Sequence, residues 1–262
     1  MKYIFKSFLI ILFLFLFLTV SGCLREETSV IVSHVVDGDT IILKNGDKIR
    51  LIGVDAPEIH GDTKPVGEFG WDAKKFVEDF LKTNDWKISL EFDEERYDRY
   101  GRILAYVYGK NGMLNELLLQ RGLARPLFYD STSRYVDRFV DAYTNAFSNR
   151  IGIFSKYDSA PILTPDDNLY GFLGKIVWLK MLVNFVGRDQ YGNFEIRGAW
   201  NGKEALIRIR AEEYKYIFLP ENFDVLLLKN KIAMFFGELW WSYNQNIPMI
   251  ILRAPFEIKI IQ

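Results

Sequence analysis

Two β-rich runs, residues 40–44 and 48–54, meet at Asn45-Gly46. Carboxylates mark both open ends: Asp37-Gly38-Asp39-Thr40 before the first run and Asp55-Ala56-Pro57-Glu58 after the second. Asn-Gly supplies the positive φ that a tight turn needs, so an antiparallel hairpin is the strongest local expectation. A two-residue turn sets Thr40 opposite Leu51, Ile41 opposite Arg50 and Asp39 opposite Ile52. Direct partners share a sheet face, as do residues two apart. Asp39 and Arg50 are therefore expected on one face, near the open end that leads into Asp55. Pro57 cannot continue a central ladder, so it ends the strand and releases Glu58 into a loop.

The surrounding pattern is mainly β with helices, an α+β reading. An alternating apolar run at 30–36 precedes the hairpin, and 86–92 and 102–108 read as further strands. Residues 70–82 place Trp71, Phe76, Val77, Phe80 and Leu81 at helical spacing. Residues 114–120 read as a helix closed by Gly122, and 131–148 as a third helix. Prolines and aspartates without periodicity mark 157–171 as a linker between a domain at 30–156 and a second β domain at 172–262. In the latter, strands are expected at 176–186, 194–200, 204–210, 231–241 and 248–261, with a short helix at 211–218. Three strands, a helix and two strands fit a five-stranded, OB-like β-barrel.

Composition narrows the chemistry. With two histidines and one cysteine in 262 residues, a His/Cys zinc site, a disulfide within the chain and a Ser-His-Asp mechanism all lack parts. His34 and His60 have no matching ligand partner and read as structural or solvated. A formal net charge of −1 gives no overall field for a polyanion, so a nucleic-acid reading must rest on local groups. Those groups exist: the carboxylates above, Arg50, and Asp98-Arg99-Tyr100-Gly101-Arg102.

The DGDT turn, the stretch Arg50-Leu-Ile-Gly-Val-Asp55-Ala-Pro-Glu58 and Tyr100-Gly101-Arg102 occur in this order. They are followed by Leu-Ala-Tyr, Asn115-Glu116, Gly122-Leu123-Ala124 and a closing Gly-Ile-Phe-Ser. In these motifs residues from about 30 to 155 resemble the thermonuclease, or staphylococcal nuclease-like, family. The resemblance implies an OB-type five-stranded barrel with helices and a metal-dependent phosphodiesterase that hydrolyses DNA or RNA to 3′-phosphorylated products. It implies that Asp39, Asp55 and the backbone carbonyl of Ala56 hold Ca²⁺, although the family often has Thr where this chain has Ala56. It gives Glu58 the role of general base and makes Arg50 and Arg102 the grip on the scissile phosphate. Lys64, Arg99 and Tyr100 align with residues that contact neighbouring phosphate or sugar. Phe128 and Tyr129 correspond loosely to two family tyrosines that contact the nucleotide. A noncatalytic nucleic-acid-binding module and an envelope protein or glycan interaction protein are the alternatives; the first typically loses some of these acids and arginines.

Lys2 and Lys6 flank an apolar run at 8–20, and Val20-Ser21-Gly22-Cys23 follows. This pattern reads as a lipoprotein-type signal peptide at 1–23 with Cys23 as the lipidated (palmitate-type) residue. An uncleaved membrane anchor is the other reading, and either places the remainder outside the cytoplasmic membrane and tethered to it. In the second domain, Trp178, Phe185, Phe194, Trp200, Phe235, Phe236, Trp240, Trp241 and Tyr243 could fill a core or, beside Arg188, Arg197, Arg208 and Arg210, form a base-stacking platform. Alternation along barrel strands favours the core.

Overall fold

The computed structural model describes residues 28–61 and 65–261. The apolar leader, Cys23 and Lys64 lie outside the described residues. Among the described residues no helix is long and apolar enough to cross a membrane.

The N-terminal domain runs β1 (Thr28–Val35), β2 (Thr40–Leu43), β3 (Lys48–Leu51), β4 (Gly53–Asp55), α1 (Gly70–Thr83), β5 (Lys87–Glu91) and β6 (Ile103–Gly109). β7 (Gly112–Met113), α2 (Leu114–Gln120), β8 (Arg125–Leu127) and α3 (Val136–Ser148) follow. Strand order β3-β2-β1-β5-β6, closed by a parallel β3–β6 pairing, makes a five-stranded barrel of OB connectivity. β1 serves both neighbours in turn: residues 28–31 pair with β5, Val32 to Val35 pair with β2, and a register shift between Val32 and His34 bends the strand within the second part. The third helix starts at Val136 rather than at residue 131, because Asp130–Thr132 forms a separate 3₁₀ turn.

The hairpin register differs by one residue from the expected one. Thr40 pairs with Arg50, and Ile41 with Ile49. The turn has three residues, Lys44-Asn45-Gly46, closed by the Leu43 N–H donating to the Asp47 carbonyl at 2.9 Å. Gly46 carries the positive φ (94°) alone, while the Asn45 side chain accepts from the Asp47 N–H at 3.1 Å. Asn45 thus shapes the turn by a side-chain bond instead of a left-handed backbone, which lengthens the loop by one.

The second domain comprises β9 (Ile162–Leu163), β10 (Ile176–Arg188), β11 (Phe194–Trp200), β12 (Lys203–Ile209), β13 (Ile232–Glu238), β14 (Trp240–Ser242), β15 (Ile247–Leu252) and β16 (Ile258–Ile260). β10 pairs with β11 and β13, β12 pairs with β11 and runs parallel to β15, and β15 pairs with β14. The order of β10, β11, β12 and the parallel β15 repeats that of the first barrel, with a helical turn at 211–218 before β13. β13, however, pairs with β16 where the first barrel would close on β15. Among the described residues this domain is therefore an eight-stranded sheet and not the expected closed five-stranded barrel. The segment 157–171 is not a bare spacer: β9 lies parallel to β10, and Leu169–Phe172 forms a 3₁₀ turn.

The two domains share an apolar interface. Phe147 of α3 stacks on Phe256 at 4.0 Å between ring centroids, and the Trp178 indole N–H donates to the Tyr157 carbonyl at 2.8 Å. Trp178, Phe194, Phe235 and Phe236 are buried, whereas Phe185 and Tyr243 are exposed. These four buried rings belong to core and interface, each contributing about 1.5–3 kcal/mol of burial, while Trp200, Trp240 and Trp241 are partly buried.

Candidate active site

The open end of the first barrel gathers the acidic motifs. The Asp37 carboxylate accepts the Asp39 N–H at 3.0 Å, which shapes the DGDT turn. Asp39 accepts the Thr40 hydroxyl with Oδ1 and the Ala56 N–H with Oδ2, both at 3.0 Å. That second bond ties the turn to the loop after β4. Gly38 makes the approach possible: a Cβ there would stand 2.6 Å from the Cβ atoms of both Ala56 and Ala73.

Arg50 sits between the two motifs. Its Nη2 is 3.0 Å from Asp39 Oδ2 and 3.9 Å from Asp55 Oδ1, and Nη1 donates to the carbonyls of Leu51 and Val54. The same-face argument for Asp39 and Arg50 fails with the corrected register. The contact survives because a guanidinium on a flexible stem reaches past its own strand position. Burial would lower the Arg50 pKa, but the charges of Asp39, Asp55 and Asp37 outweigh it and hold it above its ordinary value. Burial, reinforced by the neighbouring Asp39 charge, pushes the Asp37 carboxyl up to about 7.

Beside this cluster opens a cavity of about 370 Å³ whose wall includes Arg50, Asp98, Arg99, Tyr100, Arg102 and Tyr129. Arg102 is aimed by Asp98, whose Oδ2 accepts Arg102 Nε at 2.6 Å while Oδ1 accepts the Arg102 and Tyr100 N–H groups at 2.9 Å. Burial alone would raise the Asp98 carboxyl. The bonds from Arg102 and Tyr100 outweigh it and hold it below the usual carboxylate range. Arg99 donates to the Tyr100 hydroxyl at 2.6 Å. Tyr129 is about half exposed, and the Arg210 guanidinium of the second domain lies 4.7 Å from its ring centroid. Phe128, by contrast, is buried against Tyr216, its N–H donating to Glu213.

The structure therefore brings Arg50, Arg99, Tyr100, Arg102 and Tyr129 to one cavity and joins Asp39, Asp55 and Ala56 to it through Arg50. Glu58 is half-buried and not part of that wall; its carbonyl accepts the Gly67 N–H at 2.8 Å. His34 and His60 are both exposed.

Among the described residues no three His, Cys, Asp or Glu side chains are grouped to hold a metal ion by themselves. Two carboxylates and a main-chain carbonyl are a different donor set. All are hard oxygens, suited to Ca²⁺ with water or phosphate completing the shell.

The model of the family described as staphylococcal nuclease homologue matches residues 48–156, a range that includes Arg50, Asp55, Glu58 and Arg102 and begins after Asp39. A thermonuclease of Staphylococcus hyicus is 43% identical over 117 residues, covering 44% of this chain and 68% of that protein. The chain belongs to the staphylococcal nuclease family. The endonuclease YncB of Bacillus subtilis is 38% identical over 137 residues, 50% of this chain and 64% of that one. An uncharacterized protein of Methanocaldococcus jannaschii, MJ1439, is 36% identical over 147 residues, 47% of this chain and 70% of that one. The chain thus spans roughly two thirds of the length of these family members.

Three residues of this family member's site had no role in the sequence reading. Asp37 and Asp98 stood inside the motifs, and their function as backbone and arginine anchors needed the fold to be seen. Arg253 is the third: its Nη2 donates to Asp55 Oδ2 at 2.9 Å from the far domain. Its one sequence signal is an arginine inside the apolar run Met249-Ile-Ile-Leu-Arg-Ala-Pro.

Proposed function

We propose that this family member is a calcium-dependent phosphodiesterase that cleaves DNA or RNA and leaves 3′-phosphorylated ends. One observation carries the reading: Arg50 contacts both Asp39 and Asp55 and lines the same cavity as Arg102. A scissile phosphate in that cavity meets the positive charge of two guanidinium groups. Negative charge grows on the phosphoryl oxygens as water adds, so their stabilisation is larger in the transition state than in the ground state. Asp39, Asp55 and the Ala56 carbonyl would hold the cation, which supplies Lewis-acid polarisation of a phosphoryl oxygen. Glu58 takes a proton from the attacking water, whose oxygen bonds to phosphorus as the P–O5′ bond breaks, and the leaving 5′-oxygen takes a proton from solvent to become the 5′-hydroxyl. Tyr129 and Tyr100 border the cavity where base and sugar would lie.

Lipidation of Cys23, tethering the enzyme outside the cytoplasmic membrane, is part of the same proposal; the apolar run at 8–20 and the Ser-Gly-Cys ending support it. Mass spectrometry of the membrane-extracted protein should find an acylated Cys23 as the first residue.

A gel assay of the chain from residue 24 onward tests the activity. Cleavage of DNA or RNA with Ca²⁺, abolished by EDTA, is expected. Binding without cleavage would make the protein a noncatalytic module, and no nucleic-acid affinity would favour an envelope interaction protein.

A further inference from the structure

The second domain reaches the cation ligands of the first. Arg253 follows β15 and is 1% exposed, yet its Nη2 donates to Asp55 Oδ2 at 2.9 Å. Its Nη1 lies 3.6 Å from Glu213 Oε2, and neither Nη1 nor Nε has a hydrogen-bond partner among the described residues. Burying a guanidinium costs several kcal/mol, and a buried ion pair with unfilled donors seldom repays that in stability. Well-packed apolar residues would join two domains more cheaply. Such a group calls for a role other than adhesion, and its closest partner is Asp55.

The backbone around Arg253 is held for this task. Glu257 Oε2 accepts the N–H groups of Arg253 and Ala254 at 2.6 and 3.2 Å, and Glu257 Oε1 accepts the Tyr143 hydroxyl of α3 at 2.6 Å. The turn that carries Arg253 is thereby pinned to a helix of the N-terminal domain. Arg50 faces Oδ1 of Asp55 while Arg253 holds Oδ2, so the carboxylate is gripped from both sides.

We propose that Arg253 is a positioning residue lent by the C-terminal domain. It fixes the orientation of Asp55, so that the cation site of the first barrel is complete only when the second domain is docked. This rests on the reading of Asp39 and Asp55 as cation ligands. Groups that orient metal ligands typically change metal affinity by about 10–100-fold when removed.

The direction of the effect separates positioning from plain electrostatics. A cation beside Asp55 repels a second cation, so removing Arg253 as a mere charge should tighten Ca²⁺ binding. Removing it as a positioning group should weaken binding. Calorimetric titration of the full chain with CaCl₂, together with circular dichroism, reads this directly. Arg253→Met is expected to bind Ca²⁺ at least tenfold more weakly, and Arg253→Lys to recover part of the loss. Glu213 keeps Arg210 at 3.3 Å but would lose its Arg253 partner on Oε2, so Arg253→Met/Glu213→Gln provides a variant without that half-paired buried charge. It should fold and show the same loss, while Glu213→Gln alone stays within about threefold of the parent. Unchanged or tighter Ca²⁺ binding in the folded Arg253 variants would overturn the proposal and leave the nuclease reading standing. A parent protein that binds no Ca²⁺ would overturn both.

Discussion

The two domains share the order of their first three strands, a parallel strand beside the third, a helical segment after it and a first strand bent at a register shift, but only the first closes into a barrel, through the β5–β6 pairing. They differ in how they treat an arginine on the third strand. In the first, Arg50 stands opposite Thr40 and turns towards Asp39 and Asp55 beside a cavity. In the second, Arg208 stands opposite Glu195 and pairs with it at 2.7 Å, while Arg197 pairs with the same carboxylate at 2.9 Å. The turn before the second strand differs likewise. Asp39 bonds across to the Ala56 loop, whereas Asp189 bonds within its own turn, to Tyr191 and Asn193. In the first domain the arginine and its carboxylates stand beside a cavity; in the second the same strand position is spent on a local ion pair. The first three strands are arranged alike in both, and the placement of a few charges distinguishes the candidate site.

The strongest way to break this contrast is Arg102→Ala. It should lower the rate of DNA cleavage about a thousandfold, the scale of losing a preorganised transition-state donor, in a protein whose circular dichroism is unchanged. Asp98→Ala should follow at about 10–100-fold, because Arg102 loses the carboxylate that aims it; normal turnover would mean that Arg102 needs no anchor. Stability sharpens the comparison next. Asn115, fully buried in α2, donates to the Ile52 and Ala105 carbonyls and accepts the Val107 N–H, which stitches the bend after β3 to β6. Asn115→Ala should cost about 3 kcal/mol in denaturant unfolding, since these buried groups lose their partner.

The smallest effect lies in acid. Burial would raise the Glu195 carboxyl, but its bonds to Arg208 and Arg197 hold it below the usual range, as Arg102 does for Asp98. A carboxylate with a lowered folded-state pKa stabilises the fold above its ordinary value of about 4 and loses that contribution as pH falls through the lowered value. Asp98→Asn and Glu195→Gln should each flatten the acid limb of the stability profile. Only the first should slow cleavage.

Much of the N-terminal site was legible because its parts are local. DGDT, Asp55 to Glu58 and Asp98 to Arg102 are short stretches whose turns are shaped by their own side chains, and the resemblance of residues 30–155 supplied their order. The hairpin register was misread because Asn-Gly fits both two- and three-residue loops, and the Asn45–Asp47 bond decides between them. Arg253 was invisible for a different reason: it meets Asp55 across 198 residues of sequence. No periodicity reports a contact between two domains, and Arg210 over Tyr129 escaped in the same way. The β character of the second domain is readable from strand spacing, but a five-stranded barrel is not what forms: the runs 231–241 and 248–261 each divide into two strands, and β14 and β16 take the edges of β15 and β13.

Glu58 is the residue on which the catalytic reading turns, because its role is assigned by resemblance and it lies outside the cavity wall. The decisive measurement is the single-turnover rate of Ca²⁺-dependent DNA cleavage by Glu58→Gln, compared with the parent at saturating Ca²⁺. A fall of at least a hundredfold with Ca²⁺ binding retained is expected for the loss of a general base. An unchanged rate would contradict the assignment.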